Sequence, residues 1–179
     1  MDLTKLSPSM VAKIFSMLED YISSSRKEYV SQAAPLTDAQ RTVMQPFFPA
    51  AILDAARVCP LRGSRLPNPS IYSMARMMGI SNLPDFSAMA AVTFVDVIVS
   101  HEEVTDSLLF HELVHAVQYA QLGLKEFVSR YVHGYLQAGS YQEVPLEKSA
   151  YQLESRFIQD RGQAFSVADE VRRWSEAGV

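Results

Sequence analysis

Residues 107–123 read SLLFHELVHAVQYAQLG, and the predictions of fold class and chemistry both start from this stretch. Its apolar residues recur at helical spacing, so the segment is predicted to be a helix. Thr105 or Ser107 can cap the start of this helix, and Gly123 is suited to follow its last turn. The predicted helix therefore carries two histidines and a glutamate within a mostly apolar segment.

The two histidines of this helix stand one turn apart, because residues 111–115 read His-Glu-Leu-Val-His. Side chains at i and i+4 lie above one another on a helix, so His111 and His115 can bind one metal ion. Neutral imidazole suits Zn²⁺, and zinc with three protein ligands keeps a position for water, whose pKa it lowers towards ~7. Glu112 is then placed to take a proton from that water and return it to a leaving group.

Chance is a weak explanation for this spacing. A chain of this composition is expected to contain about 0.005 such five-residue matches, yet two of the four histidines in the chain stand in one. The pattern therefore predicts a metal site, with His111 and His115 as ligands and Glu112 as the general base.

A third protein ligand has to come from further along the chain. A histidine six residues after His115 is excluded, because Gln121 stands at that position. His133 lies on the solvated side of its own helical stripe, so we interpret it as a surface residue. The remaining candidates are Glu143, Glu147 and Glu154.

Glu147 is the preferred candidate among these carboxylates. It lies in the first turn of a helix that Pro145 begins, beside the apolar stripe, where it can face a neighbouring helix. Glu143 precedes this helix and would need its loop to fold back, and Glu154 lies two turns further along the same flank. An alternative role for Glu147 is to complement the dipole of its helix.

Two segments, HELVHAVQYAQLG at 111–123 and GSYQEVPLEKSAY at 139–151, resemble the gluzincin type of zincin metallopeptidases. They are more closely similar to small peptidase-like proteins of unknown function that pair HELxHxxQ with PLExxAY. The resemblance covers approximately residues 91–155, whereas residues 1–90 carry no recognised motif. It implies that the third zinc ligand is a glutamate on the next helix of the site, which corresponds to Glu147.

The same resemblance implies that residues 91–100 form an edge strand that holds an extended substrate by strand addition. The chain departs from the gluzincin pattern at Tyr151, because an aspartate usually stands four residues after the ligand glutamate. The partners that orient the two histidines are therefore unassigned.

Tyr131 and Tyr135 are expected to be core residues. A developing oxyanion could be stabilised by Tyr151, Tyr141 or His133. For each of these residues, ordinary packing or solvent exposure is the simpler interpretation.

The predicted fold class is α+β and mostly helical, a single zincin-like domain over residues 1–179. It comprises a helical and loop part over 1–90, followed by a strand and the metal-site helices over 91–179. Residues 55–59 and 91–100 are predicted strands, and the second is apolar on both faces. In the first half of the chain, further helices are predicted over residues 8–22 after Ser7, from Thr37 up to Pro46 and Pro49, and from the end of a loop over 61–70 up to Gly79. In the second half, helices are predicted over residues 124–138, with Gly139 as the stop, from Pro145 to about residue 162, and from Ser166 onwards.

Composition limits the expected partners and location. Sixteen basic and twenty acidic residues give a net charge of -4 without long single-sign runs, so nucleic acid is not an expected partner. No segment approaches about 18 uninterrupted apolar residues, and the first residues lack the pattern of a secretory signal. We therefore expect a soluble, cytoplasmic protein without a membrane partner. The lone Cys59 fits a reducing compartment.

The sequence thus predicts a zinc-dependent hydrolase, specifically a metallopeptidase that cleaves amide bonds in a peptide or protein substrate. One alternative is a zincin-fold regulatory or interaction module that binds zinc without peptidase activity. Another is an interaction protein that binds no metal.

Overall fold

The computed structural model describes residues 7–77, 79, 83–138 and 140–176, except for the side chain of Pro8. Within these ranges the chain forms helices α1 (Pro8–Val30), α2 (Asp38–Met44), α3 (Ala50–Ala55), α4 (Ile71–Met77), α5 (Asp106–Ala138), α6 (Pro145–Gln159) and α7 (Val167–Glu176). The strands are β1 (Ala34–Pro35), β2 (Arg57–Pro60), β3 (Ala91–Phe94) and β4 (Val97–Ser100). The predicted α+β, mostly helical class is confirmed.

The four strands form one small mixed sheet with the order β1-β2-β4-β3. β3 and β4 are an antiparallel hairpin, β2 runs parallel to β4, and β1 runs antiparallel to β2. Among the described residues, β3 pairs only with β4. One edge of β3 therefore has no partner strand in this part of the chain.

Helices cover both faces of this sheet. On one face, β-strand residues including Phe94 and Val97 pack against tyrosines of α1. On the other face, Ile98 packs in the largest core cluster with Leu109 and Leu113 of α5. α1 and the first arm of α5, which carries the HExxH sequence, thus pack on opposite faces of the sheet.

α5 is divided by a sharp bend at Gly123, where φ is 74° and ψ is 162°. This positive φ costs glycine little, whereas a side chain would be strained there. The predicted stop at Gly123 is confirmed, and a second helical arm follows it directly. The second predicted stop, Gly139, lies outside the described residues.

Residues 91–100 form a hairpin, so the prediction of one continuous strand is wrong. The turn contains Val95, whose φ of 64° is unusual for a β-branched residue, and Asp96. Both carboxylate oxygens of Asp96 accept hydrogen bonds from the guanidinium of Arg26, at 2.5 and 2.7 Å, and its carbonyl accepts from the Arg57 backbone. Contacts with residues distant in sequence therefore hold a turn that lacks glycine or asparagine.

Several element ends also differ from the prediction. α1 continues to Val30 instead of stopping near residue 22, because Ser25 is buried and Tyr29 packs onto the sheet. The predicted strand at 55–59 lies at Arg57–Pro60, and α6 ends at Gln159. α3 and β1 were not predicted.

The predicted helix caps are present in the structure. Ser7 accepts from the Met10 backbone, and Ser166 accepts from the Asp169 backbone. Thr37 and Gln40 form the full capping box. Within the described ranges, no helix combines the length and apolar character that a membrane crossing requires.

Candidate metal centre

The two histidines of α5 and the first-turn glutamate of α6 converge on one point. Nε2 of His111 lies 3.2 Å from Nε2 of His115. Oε2 of Glu147 lies 3.5 Å from the first of these nitrogens and 3.3 Å from the second. His111, His115 and Glu147 are only 6%, 5% and 3% exposed. The structure therefore brings together the three residues that the sequence predicted as metal ligands.

Aromatic packing holds α6 against the first arm of α5. The ring of Phe110, the residue just before His111, stacks on the ring of Phe157 with their centroids 4.5 Å apart. The apolar stripe predicted for α6 is buried, which fixes the rotation of this helix and turns Glu147 towards α5. The buried residues of this stripe are Leu146, Ala150, Leu153 and Phe157.

The start of α6 also fits closely against the second arm of α5. A Cβ atom built at Gly134 would lie 2.6 Å from Cδ of Pro145. No larger residue fits at position 134 without displacing one of these helices. Gly134 therefore permits the approach that brings Tyr131, one turn earlier on α5, to Glu147.

Gln118 determines which nitrogen of His115 carries the proton. The amide nitrogen of Gln118 donates to the Leu146 carbonyl at 2.9 Å and to Oγ of Ser149 at 3.0 Å. Its Oε1 therefore faces Nδ1 of His115 at 2.8 Å and accepts a hydrogen bond from it. In the neutral imidazole, Nε2 of His115 would then direct its lone pair towards the triad.

Glu154 determines in the same way which nitrogen of His111 carries the proton. Its carboxylate can only accept when ionised, and Oε2 lies 3.1 Å from Nδ1 of His111. In the neutral imidazole, Nε2 of His111 would thus also face the triad with a free lone pair. Glu154, a candidate third ligand in the sequence, instead lies in position to orient a ligand. Neither this contact nor the role of Gln118 was predicted.

The carboxylate of Glu147 is held by its other oxygen. The hydroxyl of Tyr131 donates to Oε1 at 3.1 Å. Burial and the nearby Glu147 charge raise the pKa of the Tyr131 phenol well above its usual value, so the phenol stays protonated and can donate. Tyr131 does pack among apolar residues, as predicted, but its contact with Glu147 was not foreseen.

The three donor atoms of the triad are better suited to bind a cation than to bind one another. Oε2 of Glu147 is buried and has no hydrogen-bond partner in the part of the chain that the structure describes. Burial alone would lower the pKa of His111, but the adjacent carboxylates of Glu147 and Glu154 outweigh it and raise this pKa to about 10. Burial opposes ionisation of Glu147, yet the two histidines lower its pKa. The triad thus stabilises positive charge at its centre, and two imidazoles with a carboxylate are ligands that suit zinc.

Glu112 lies beside the triad and is fixed by the edge strand of the sheet. Oγ1 of Thr93, on β3, donates to Oε2 of Glu112 at 2.6 Å, and both residues are buried. Thr93 was not singled out in the sequence. The only available signal was that a polar residue stands inside an apolar strand.

The other sequence candidates lie outside the triad. Glu143 is an exposed partner of Lys148. The exposed His133 donates to the Ser129 carbonyl at 2.7 Å. The ring of Tyr151 lies against His111, with centroids 4.5 Å apart.

A cavity of about 170 Å³ reaches the triad from one side. Glu112, His115, Glu147 and Tyr141 line its polar end, and the rest of its wall is almost entirely apolar. This cavity gives the candidate general base and two of the metal-ligand candidates access to the same space. Of the oxyanion candidates, Tyr141 alone is among the residues that line it.

Comparisons with protein-family models, with curated proteins and with solved structures find no match for this chain. The resemblance to gluzincins therefore depends on the motif residues alone. What the fold and the site define together is an α+β chain with a buried cluster of two histidines and one glutamate that could hold a metal ion.

Proposed function

We propose that this protein is a zinc-dependent hydrolase, specifically a metallopeptidase, in which His111, His115 and Glu147 hold the ion. The observation that carries the proposal is the buried convergence, within 3.5 Å, of two Nε2 atoms and a carboxylate oxygen that has no hydrogen-bond partner among the described residues. Three protein ligands are the number that catalytic zinc sites use, since the fourth position is kept for water or substrate.

The metal-binding and proton-transfer roles of amide hydrolysis can be assigned to residues of this site. Zinc, when bound, would polarise the substrate carbonyl and lower the pKa of water. Glu112 would accept a proton from the attacking water as the new C–O bond forms, and would donate it to the nitrogen as the C–N bond breaks. Thr93 holds Glu112 through Oε2 and leaves Oε1 for this transfer.

The surrounding hydrogen bonds support this assignment. Gln118 and Glu154 fix the tautomer of both histidines, so that each Nε2 is available as a ligand. Tyr131 holds Oε1 of Glu147, which favours ligation through Oε2 alone. The proposed substrate is a peptide or another amide, and the proposed location is the cytoplasm, in agreement with a free, buried Cys59.

Substitution of Glu112 tests this mechanism. Glu112→Gln should retain zinc and lower the rate of peptide hydrolysis about 10²- to 10⁴-fold, the usual contribution of a general acid–base residue. Glu143→Gln, a change at an exposed glutamate of the same region, serves as the control and should keep both properties. A Glu112→Gln variant with the full rate of hydrolysis would refute the assigned role.

Burial of the site favours one alternative, a zinc-binding module without peptidase activity. Glu112 is 4% exposed and the triad is equally covered, as expected for a metal that supports the fold. Such a protein would bind zinc, lose stability with a chelator and cleave no member of a peptide library. Hydrolysis that Glu112→Gln abolishes would exclude this alternative.

A further inference from the structure

We propose that the cavity beside the triad selects amide substrates with one bulky apolar group, of about the size of a phenyl or indole ring. This inference deepens the proposed function and depends on it for the reaction. The cavity itself is a ligand site that can be tested without metal or turnover. The proposal also gives a role to residues 1–90, which carry no motif.

Segments from both parts of the chain build this cavity. The N-terminal part contributes Ile14, Leu18 and Ile22 from α1. α4 adds Ile71 and Tyr72. The opposite wall consists of β3 and both arms of α5. The cavity is therefore complete only when α1 and α4 are in place opposite β3 and α5.

The chemistry of the lining excludes a charged guest. Glu112 and Glu147 are the only Asp, Glu, Lys or Arg residues in the described lining, and both lie at the end next to His115. A positive group placed deeper would lose its hydration without gaining a charged partner from the described lining, and a negative group would also be repelled by the two glutamates. An apolar group gains by leaving water, because the surrounding walls are aliphatic and aromatic.

The volume of the cavity limits the size of the substrate group that it can bind. A cavity of about 150 Å³ with apolar walls stays dry and binds benzene, and the cavity here measures about 170 Å³. It can therefore hold one aromatic or branched aliphatic side chain.

The position of the cavity ties this guest to the reaction. Glu112, His115 and Glu147 all border the same space. A side chain that fills the apolar part would leave its own amide group at the triad, next to the general base. Binding in the cavity would thus orient the bond to be cleaved.

The first experiment measures binding of indole to the zinc-free protein by calorimetry. Two variants fill the cavity from opposite walls, Val132→Phe on α5 and Ala75→Phe on α4. Their matched controls are Gln137→Phe and Ser73→Phe, which add the same ring at exposed positions of the same helices. Circular dichroism verifies the folding of each variant, and the second filling variant decides if the first does not fold.

The wild type and both controls should bind indole, and each folded filling variant should bind it at least about tenfold more weakly. Indole that fails to bind the wild type, or that binds the filled variants equally well, would overturn the proposal. Because this measurement needs no metal and no turnover, it remains valid even if the proposed hydrolase activity is absent.

The second experiment compares hydrolysis of short amides that differ at one residue beside the cleaved bond. We expect kcat/KM to be about 10- to 100-fold higher with phenylalanine than with glycine, the range expected for burial of one large apolar side chain, and to be lowest with lysine or glutamate. Both filling variants should reduce this preference. Hydrolysis without any preference for the apolar residue would contradict the assigned substrate class while leaving the hydrolase proposal intact.

Discussion

At the scale of single residues, the site depends as much on the orientation of the histidines as on their presence. An imidazole binds metal only through an unprotonated nitrogen, and the partner of its other nitrogen decides which one is free. Gln118 and Glu154 supply these partners here. The partners of the two histidines, which the sequence left unassigned, are thus found at two other positions.

Replacement of Gln118 by leucine should weaken zinc binding about 10- to 100-fold, as is usual when a residue that orients a metal ligand is lost. The reason is that Nδ1 of His115 would lose its acceptor, and the Leu146 carbonyl would lose a donor. Competition with a chromophoric chelator measures the affinity. Gln121→Leu, on the exposed side of the same helix, is the control, and equal affinities for both variants would argue against the orienting role.

Thr93 is also important at the scale of single residues, because its hydroxyl holds Glu112, the proposed general base. Thr93→Val removes this hydrogen bond at nearly constant volume and should lower kcat about tenfold, since Glu112 would lose its fixed position. Zinc content should not change. Thr93→Ser should restore the rate, and a serine variant as slow as the valine variant would show that Thr93 acts only by packing.

At the scale of elements, the fit between α5 and α6 positions the triad, and Gly134 tests it. Alanine normally stabilises a helix interior by about 1 kcal/mol relative to glycine. Here the added Cβ would meet Pro145 at 2.6 Å, so Gly134→Ala should instead destabilise the protein by about 1–3 kcal/mol. Chemical denaturation measures the change. A gain in stability would mean that the helices are not in close contact at this point.

The local signals of the sequence were sufficient for most helices and for the positions of the triad. Ser7, Thr37 and Ser166 act through atoms within three residues, so each cap could be predicted from the neighbouring residues. Glu147 was predictable because the buried stripe of α6 fixes the face on which it lies.

Features that depend on distant residues could not be predicted in this way. The turn at Val95 and Asp96 is held by Arg26, which is 70 residues away in sequence. The pairing of Thr93 with Glu112, and that of Tyr131 with Glu147, likewise requires the packed arrangement of strand and helices. Sequence spacing therefore identified the ligand candidates, whereas only the fold identified the residues that orient them.

At the scale of the whole molecule, the N-terminal part encloses a site that the C-terminal part builds. α1 packs on one face of the sheet and the HExxH arm of α5 packs on the other, while α1 and α4 complete the cavity that reaches the triad. A cation at the centre of the site would give the buried Oε2 of Glu147 a partner, which this atom lacks among the described residues.

Zinc content, measured by elemental analysis on purified protein, tests the central claim most directly. We expect about one zinc ion per chain in the wild type and in Glu143→Ala, and much less in Glu147→Ala, because catalytic zinc sites need three protein ligands. Equal zinc in Glu147→Ala and the wild type, or a wild type that stays metal-free in excess zinc, would contradict the account.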